Sequence, residues 1–330
     1  MSYEQEPFMI LATMSRWYVV SRAIHVVAQL GLANYMSDEP ISIEQLAEQS
    51  NTKPELLARL MRFLSAYKLF NFQQNGYSLT ELSKPLRDDD PHSIRDVLCM
   101  ADESWWQAFS QFDESLKTGK SAFYHQHGDH FFNYLSKNPQ KQANFDRGMA
   151  KLSTYDDDTI SKSYNFGELT SIVDMGGGRG GMVQSIAKHY PTVNVILFDT
   201  PAVINQLNAH EFPPQARLIA GDFLKEIPMA DAYLFKGVLH DFDDATMQQI
   251  LTNCAQQMPK KSTLFIAEQV MPDDNTPHPN KTMDIVMMVL LGGRQRTLSE
   301  WQQSIEPLGF HFEASYNTTS LFTLMKFSPS

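Results

Sequence analysis

An imidazole stands at His240 in the segment KGVLHDFDD (236–244), after an apolar run and before an acid-capped helix start. Histidine can accept a proton near neutral pH, because its unperturbed pKa is about 6.5. A lone histidine beside an apolar run more often packs than reacts, so its surroundings decide. The segment IVDMGGGRGG (172–181) supplies a second feature: five glycines and one arginine fill 176–181, just beyond Asp174. Residues without Cβ let a backbone approach a ligand closely. A helix over 182–190 would then present unpaired N–H groups at its start. That is nucleotide-binding chemistry.

Two patterns fit the loop. Gly176, Gly178 and Gly181 match the G-x-G-x-x-G of dinucleotide sites, a weak signal alone. Asp174, Gly176, Gly178 and Gly180 match D-x-G-x-G-x-G, the usual S-adenosylmethionine loop, and the acid two residues before the first glycine favours it. Asp199 ends the next strand, VNVILFD, and can accept from ribose hydroxyls of either cofactor.

Strand-like runs at 172–175, 193–199, 216–220, 231–236 and 262–268 alternate with helical segments. The alternation predicts an α/β fold with a doubly wound, mostly parallel sheet. FHFEASY and SLFTLMKF, joined through 317–319, predict a closing antiparallel hairpin. This speaks against a dinucleotide domain, which more often repeats a parallel half. Ligands of open α/β sheets bind outside the carboxyl ends of the strands. Those ends carry Asp174, Asp199, Asp222 with Phe223, Lys236 through His240 with Asp241, and Glu268. Asp222 and Phe223 can hold an adenine, by its exocyclic amine and by stacking.

Upstream, residues 11–30 form one apolar-rich helical segment with Trp17, Val20, Ile24, Val27 and Leu30 in phase. Two further helices follow, the second with Thr52 as N-cap and Pro54 in its first turn. Asn75–Gly76 between two short strand-like runs marks a hairpin. Helix–turn–helix plus hairpin is a winged helix. A DNA-reading role is disfavoured: the second helix is largely apolar, and residues 1–100 hold 9 Lys plus Arg against 12 Asp plus Glu. Packing or dimerisation is the stronger reading. Residues 101–165 are helical and aromatic. HQHGDH (125–130) carries ligand atoms, but glycine interrupts it and no i, i+4 pair occurs, so a solvated loop is expected and no metal. The expected organisation is a dimerisation domain at 1–100, a helical linker and substrate-pocket segment at 101–165, and a donor-binding domain at 166–330.

The net charge of −11 argues against a general nucleic-acid surface. Two distant cysteines, Cys99 and Cys254, fit a reducing cytoplasm. MSYEQEPFMI lacks a basic stretch before a long apolar run, so no secretory leader is expected. The apolar run 285–291 is too short to span a bilayer.

Taken together, VDMGGGRGG, PTVNVILFDTPAVI, ARLIAGDF, ADAYLFKGVLHDFDD, LFIAEQVMPDD, MDIVMM and GGRQRTLSEW resemble the class I S-adenosylmethionine-dependent O-methyltransferases of the caffeic acid and hydroxyindole type and their bacterial natural-product relatives. The resemblance, with FDRGM at 145–149 and the winged-helix start, covers nearly the whole chain. It implies a homodimer, a small aromatic acceptor and S-adenosyl-L-methionine as cofactor. It puts Gly176 at the donor's methionine portion, Gly178 against the donor, Asp199 and Thr200 at the ribose, Asp222 and Phe223 at the adenine, and Lys236 near the amino-acid end. His240 matches the general base and Glu268 the acid that orients it. Met149, Met287 and Asp241 fall at the acceptor; residue chemistry alone would make the methionines core. One departure stands out. The family often carries a second glutamate where this chain has Gln295, which hydrogen-bonds without charge. Transfer to nitrogen, a non-methyl reaction, and a ligand-binding winged-helix regulator stay open at this point.

Overall fold

The computed structural model describes residues 6–329; residues 1–5, on which part of the leader reading falls, lie outside them. The chain divides into two compact units, 1–102 with 138–151, and 103–137 with 152–330.

In the first unit two helices, α1 (Pro7–Met14) and α2 (Trp17–Leu30), replace the single helix expected over 11–30. The break falls at Ser15 and Arg16. The Ser15 hydroxyl and the Arg16 guanidinium both donate to the Ala12 carbonyl. Side chains thus take the acceptor that a continuous helix would use, and the Arg16 N–H turns to Thr13. Helix α3 (Ile43–Gln49) opens on a Ser42–Gln45 capping box. Helix α4 (Pro54–Ala66) is flanked by Lys53 rather than Thr52, whose hydroxyl pairs with Ser50 instead. Strands β1 (Phe70–Gln73) and β2 (Gly76–Leu79) pair antiparallel. Their turn is Gln74–Asn75, at φ 51° and 62°, one residue before the expected Asn75–Gly76. Gly76 opens β2, where an added Cβ would press on the Ile41 carbonyl at 2.9 Å. Helix α5 (Arg95–Met100) follows. Its core joins Val27, Leu32, Leu46 and Phe70 to Leu57, Met61 and Leu64, one face of α4. Burying each large side chain contributes roughly 1.5–3 kcal/mol.

The second unit begins with four short helices, α6 (Glu103–Ala108), α7 (Phe112–Thr118), α8 (Ala122–His127) and α9 (Phe131–Ser136). Helix α8 absorbs half of the HQHGDH run expected as a loop, because Ser121 caps it and Gly128 ends it in the left-handed region. His127 meets the Ser104 carbonyl at 3.0 Å, and its ring lies against Phe123 and Tyr134. Among the described residues no cluster of three or more His, Cys, Asp or Glu is arranged to hold a metal. Helix α10 (Pro139–Ser163) runs from the first unit into the second.

Then β and α alternate: β3 (Ser171–Met175), α11 (Gly181–His189), β4 (Asn194–Asp199), α12 (Pro201–Ile204), β5 (Ala216–Ala220), β6 (Ala232–Lys236), α13 (Asp244–Gln257), β7 (Thr263–Glu268), α14 (Pro279–Leu290), α15 (Leu298–Ile305), β8 (Phe310–Asn317) and β9 (Thr323–Pro329). The seven-stranded sheet has the order β5-β4-β3-β6-β7-β9-β8. The first five strands are parallel; β9 lies antiparallel between β7 and β8, with Thr323 opposite Glu268. Alternate residues of each strand feed separate cores on the two faces, Val173, Ile196 and Phe235 on one, Ile172, Leu197 and Leu234 on the other. Among the described residues no helix is long and apolar enough to cross a membrane.

Candidate active site

The carboxyl ends of the parallel strands converge on the glycine loop. Strand β3 delivers Asp174, which is buried, and the loop follows with Gly176, Gly178 and Gly180 at φ +76°, +56° and +78°. A Cβ on Gly177 would collide with the Asp174 carboxylate and with Leu197, so only glycine fits there. Strand β4 delivers Asp199. Its Oδ2 accepts from the Gly178 N–H at 2.8 Å and its Oδ1 from the Thr200 N–H at 2.7 Å. One carboxylate thereby fixes the loop and the start of α12. Beyond β5, Asp222 accepts from the Leu224 N–H at 2.9 Å and lies 3.0 Å from Lys225 Nζ. These partners hold its carboxyl below the usual range. Phe223 flanks the loop, since a Cβ on Gly176 would lie 3.7 Å from its ring.

Strand β6 ends at Lys236. Its Nζ lies 2.8 Å from Asp157 Oδ1 on α10 and 5.5 Å from the Phe322 ring centre. Asp174 is pushed up to about 8, chiefly by burial and then by the Asp157 charge, with Lys236 opposing. Its Oδ2 accepts no hydrogen bond among the described residues.

A short turn after β6 carries His240, and the end of β7 places Glu268 beneath it, fully buried. Glu268 Oε1 accepts from the N–H groups of Leu239 and His240 at 3.1 and 3.3 Å, while Oε2 lies 3.1 Å from His240 Nδ1. Gln295 Nε2 also meets Nδ1, at 2.9 Å. On the other side of the ring, Asp241 Oδ1 is 3.3 Å from Nε2. Burial pulls the imidazole pKa down, but the Glu268 charge and hydrogen bond, with Asp241 and Gln295, outweigh it and raise it to about 9. Asp241 rises to about 6, because burial outweighs the pull of His240.

The segment 292–297 locks this turn. The Arg294 N–H donates to the His240 carbonyl at 3.0 Å, and a Cβ on Gly293 would collide with that carbonyl. Arg296 is fully buried. Its guanidinium bonds Asp244 at 2.6 and 3.1 Å and reaches the Phe242 carbonyl at 3.4 Å. Sequence reading singled out Gln295 beside the imidazole but missed Arg296 and Asp157. The one hint was the two arginines beside the 292–293 glycine pair; nothing local pointed to Asp157.

The structure therefore gathers the loop glycines, Asp199, Thr200 and Phe223 in one group, Lys236 in another, and His240, Asp241 and Glu268 in a third along β6 and β7. Met287 is buried on α14, whereas Met149 belongs to the first unit and is partly exposed on α10.

Residues 109–311 match the family described as the O-methyltransferase domain, and residues 13–88 match the O-methyltransferase dimerisation domain. The chain is 31% identical over 326 residues to the phenazine O-methyltransferase PhzM of Lysobacter antibioticus, covering 97% of this chain and 96% of that protein. It is 29% identical to the 8-amino-8-demethylriboflavin N,N-dimethyltransferase of Streptomyces davaonensis, covering 88% of this chain and 86% of that one. Among solved structures, it resembles the O-methyltransferase NcsB1 from neocarzinostatin biosynthesis, in complex with S-adenosylmethionine and 2-hydroxy-5-methyl naphthoic acid. The TM-score there is 0.80 and the identity 26%, over 94% of this chain and 96% of that one.

Proposed function

The chain belongs to the O-methyltransferase family, and on that premise we propose that it methylates a phenolic hydroxyl of a small aromatic acceptor, with His240 as the general base. The family uses S-adenosylmethionine, which when bound supplies a methyl group activated by a sulfonium. The residues present fit that donor: a loop that excludes a Cβ at Gly177, a carboxylate at Asp199, a ring at Phe223, and an unpartnered buried oxygen on Asp174. Gly176 would hold the methionine portion, with Gly178 against the donor, Asp199 and Thr200 the ribose, Asp222 and Phe223 the adenine, and Lys236 the amino-acid end.

The observation that carries the base assignment is His240 held between Glu268 at Nδ1 and Asp241 at Nε2. In water, moving a proton from a phenol (pKa about 10) to an imidazole (about 6.5) costs roughly 5 kcal/mol. With the imidazole raised to about 9, the mismatch shrinks to about one unit, roughly 1.4 kcal/mol. Glu268 stabilises the imidazolium that forms, and the turn fixed by Arg294 and Gly293 holds the ring in place. Positioning of the acceptor can supply a further ~7–11 kcal/mol in well-oriented cases. Met287 with Asp241 would line the acceptor.

Two copies of the chain would pair through the dimerisation domain, which exposes Trp17 and Tyr18 on α2, next to Phe8 and Leu11 exposed on α1 just ahead of it. The cysteine content supports a cytoplasmic setting. A second reading, transfer to an aromatic amine, draws support from the riboflavin-type relative and from the uncharged Gln295. Incubation with methyl-labelled donor and a panel of phenols and anilines, followed by product mass analysis, separates the two. Label on phenolic oxygen supports the main reading; label on nitrogen alone overturns it.

A further inference from the structure

We propose that Asp157, on helix α10, receives the amino group of the donor's amino-acid end, leaving the donor's carboxylate to Lys236. The inference rests on the donor-binding reading above and adds a residue from outside the sheet.

Asp157 is only 3% exposed. Its Oδ1 lies 2.8 Å from Lys236 Nζ, and its Oδ2 would collide with a Cβ on Gly181, the first residue of α11. The carboxylate therefore faces the end of the glycine loop. Asp174, at 4% exposure, presses on the same loop at Gly177. Asp174 Oδ2 has no hydrogen-bond partner among the described residues, and the Lys236 ammonium is the cation beside Asp157 Oδ1. A buried carboxyl oxygen without a donor is costly, so a native fold retains it where a ligand completes it.

The charges point the same way. Burial raises the pKa of Asp156, Asp157 and Asp174, and Lys236 is the cation that counters all three. A purely structural ion pair needs one acid per lysine. Asp174 keeps its proton near neutral pH, while Asp156 and Asp157 share one ammonium and are short of a second cationic donor. A primary ammonium brings three N–H donors and a charge into that deficit. A carboxylate on the same carbon would suit Lys236 and the N–H groups opening the nine-residue α11.

Titration calorimetry with three nucleosides tests this. S-adenosylhomocysteine carries both amine and carboxylate. Its decarboxylated analogue keeps the amine, and methylthioadenosine has neither. In Asp157→Asn the first two should bind more weakly, on the order of 10–100-fold, the scale of a lost charged hydrogen bond. Methylthioadenosine should change by less than about twofold, which also reports that the variant is folded. Equal weakening of all three overturns the proposal, as does an unchanged affinity for the decarboxylated analogue, which would leave Asp157 only holding Lys236. If Asp157→Asn does not fold, the wild-type protein decides: the decarboxylated amine must bind more tightly than methylthioadenosine, and equal affinities overturn the inference. Failure of the wild type to bind any of the three overturns the donor reading itself.

Discussion

Glu268 uses its two carboxylate oxygens for different tasks: Oε1 takes the backbone N–H groups of Leu239 and His240, and Oε2 faces Nδ1 of the His240 ring. The same group thus sets both the turn and the imidazole. Glu268→Gln should lower turnover by roughly 10²–10⁴-fold, the range for losing a positioned acid–base partner, while S-adenosylhomocysteine affinity stays within about twofold. His240→Gln should behave alike. Near-normal turnover in either variant, measured on the true acceptor, removes the pair from the mechanism.

The proton on His240 makes activity depend on pH. With the imidazole raised to about 9, the neutral form that can accept a proton is a minority at pH 7 and grows as pH rises. kcat/KM should therefore climb between pH 7 and about 9 and then level off. Asp241→Asn removes a charge that favours the imidazolium, so the rising limb should move to lower pH, whereas Gln295→Glu adds one and should move it higher. A flat profile across pH 6–9 would contradict this.

Asp174 offers a stability test. Its folded pKa of about 8 lies above the unfolded value of about 3.9. The native state thus holds its proton longer than the unfolded chain, and stability falls as pH rises between those values. Asp174→Asn abolishes the cost of ionising a buried carboxyl. It should raise Tm, with a gain larger at pH 8 than at pH 5, and weaken donor binding. A gain independent of pH would point to some other origin.

Asp199 bridges the N–H groups of Gly178 and Thr200. Asp199→Ala should weaken S-adenosylhomocysteine binding on the order of 10–100-fold, the scale of losing charged hydrogen bonds. Unchanged affinity by calorimetry would deny it the ribose.

Exposed apolar residues on α1 and α2 give an association test. Phe8, Leu11 and Trp17 are 77%, 66% and 57% exposed, more than an isolated surface keeps without reason. Leu11→Asp with Trp17→Asp should shift the sedimenting species from dimer to monomer. An unchanged mass would assign the association elsewhere.

The parallel strands and the glycine loop were legible because their signals are local: apolar runs of five or six residues, and five glycines in six positions. The terminal hairpin was legible for the same reason. The break at Ser15–Arg16 was not, since it depends on which donor wins the Ala12 carbonyl rather than on apolar phase. The turn at Gln74–Asn75 fell one residue early because Gly76 is needed against the Ile41 carbonyl, a tertiary demand. The half-helical HQHGDH run turned on caps at Ser121 and Gly128. At the site, strand-end positions flagged His240 and Glu268, but Asp157 reaches Lys236 from a helix 79 positions upstream, which no spacing rule connects.

The position of β9 between β7 and β8 also bears on biosynthesis. This innermost antiparallel strand is translated after every other member of the sheet. Until residues 323–329 leave the ribosome, Glu268 waits at an unzipped margin with no neighbour opposite it. A nascent chain stalled short of them should carry every sequence motif of the enzyme and yet be inert.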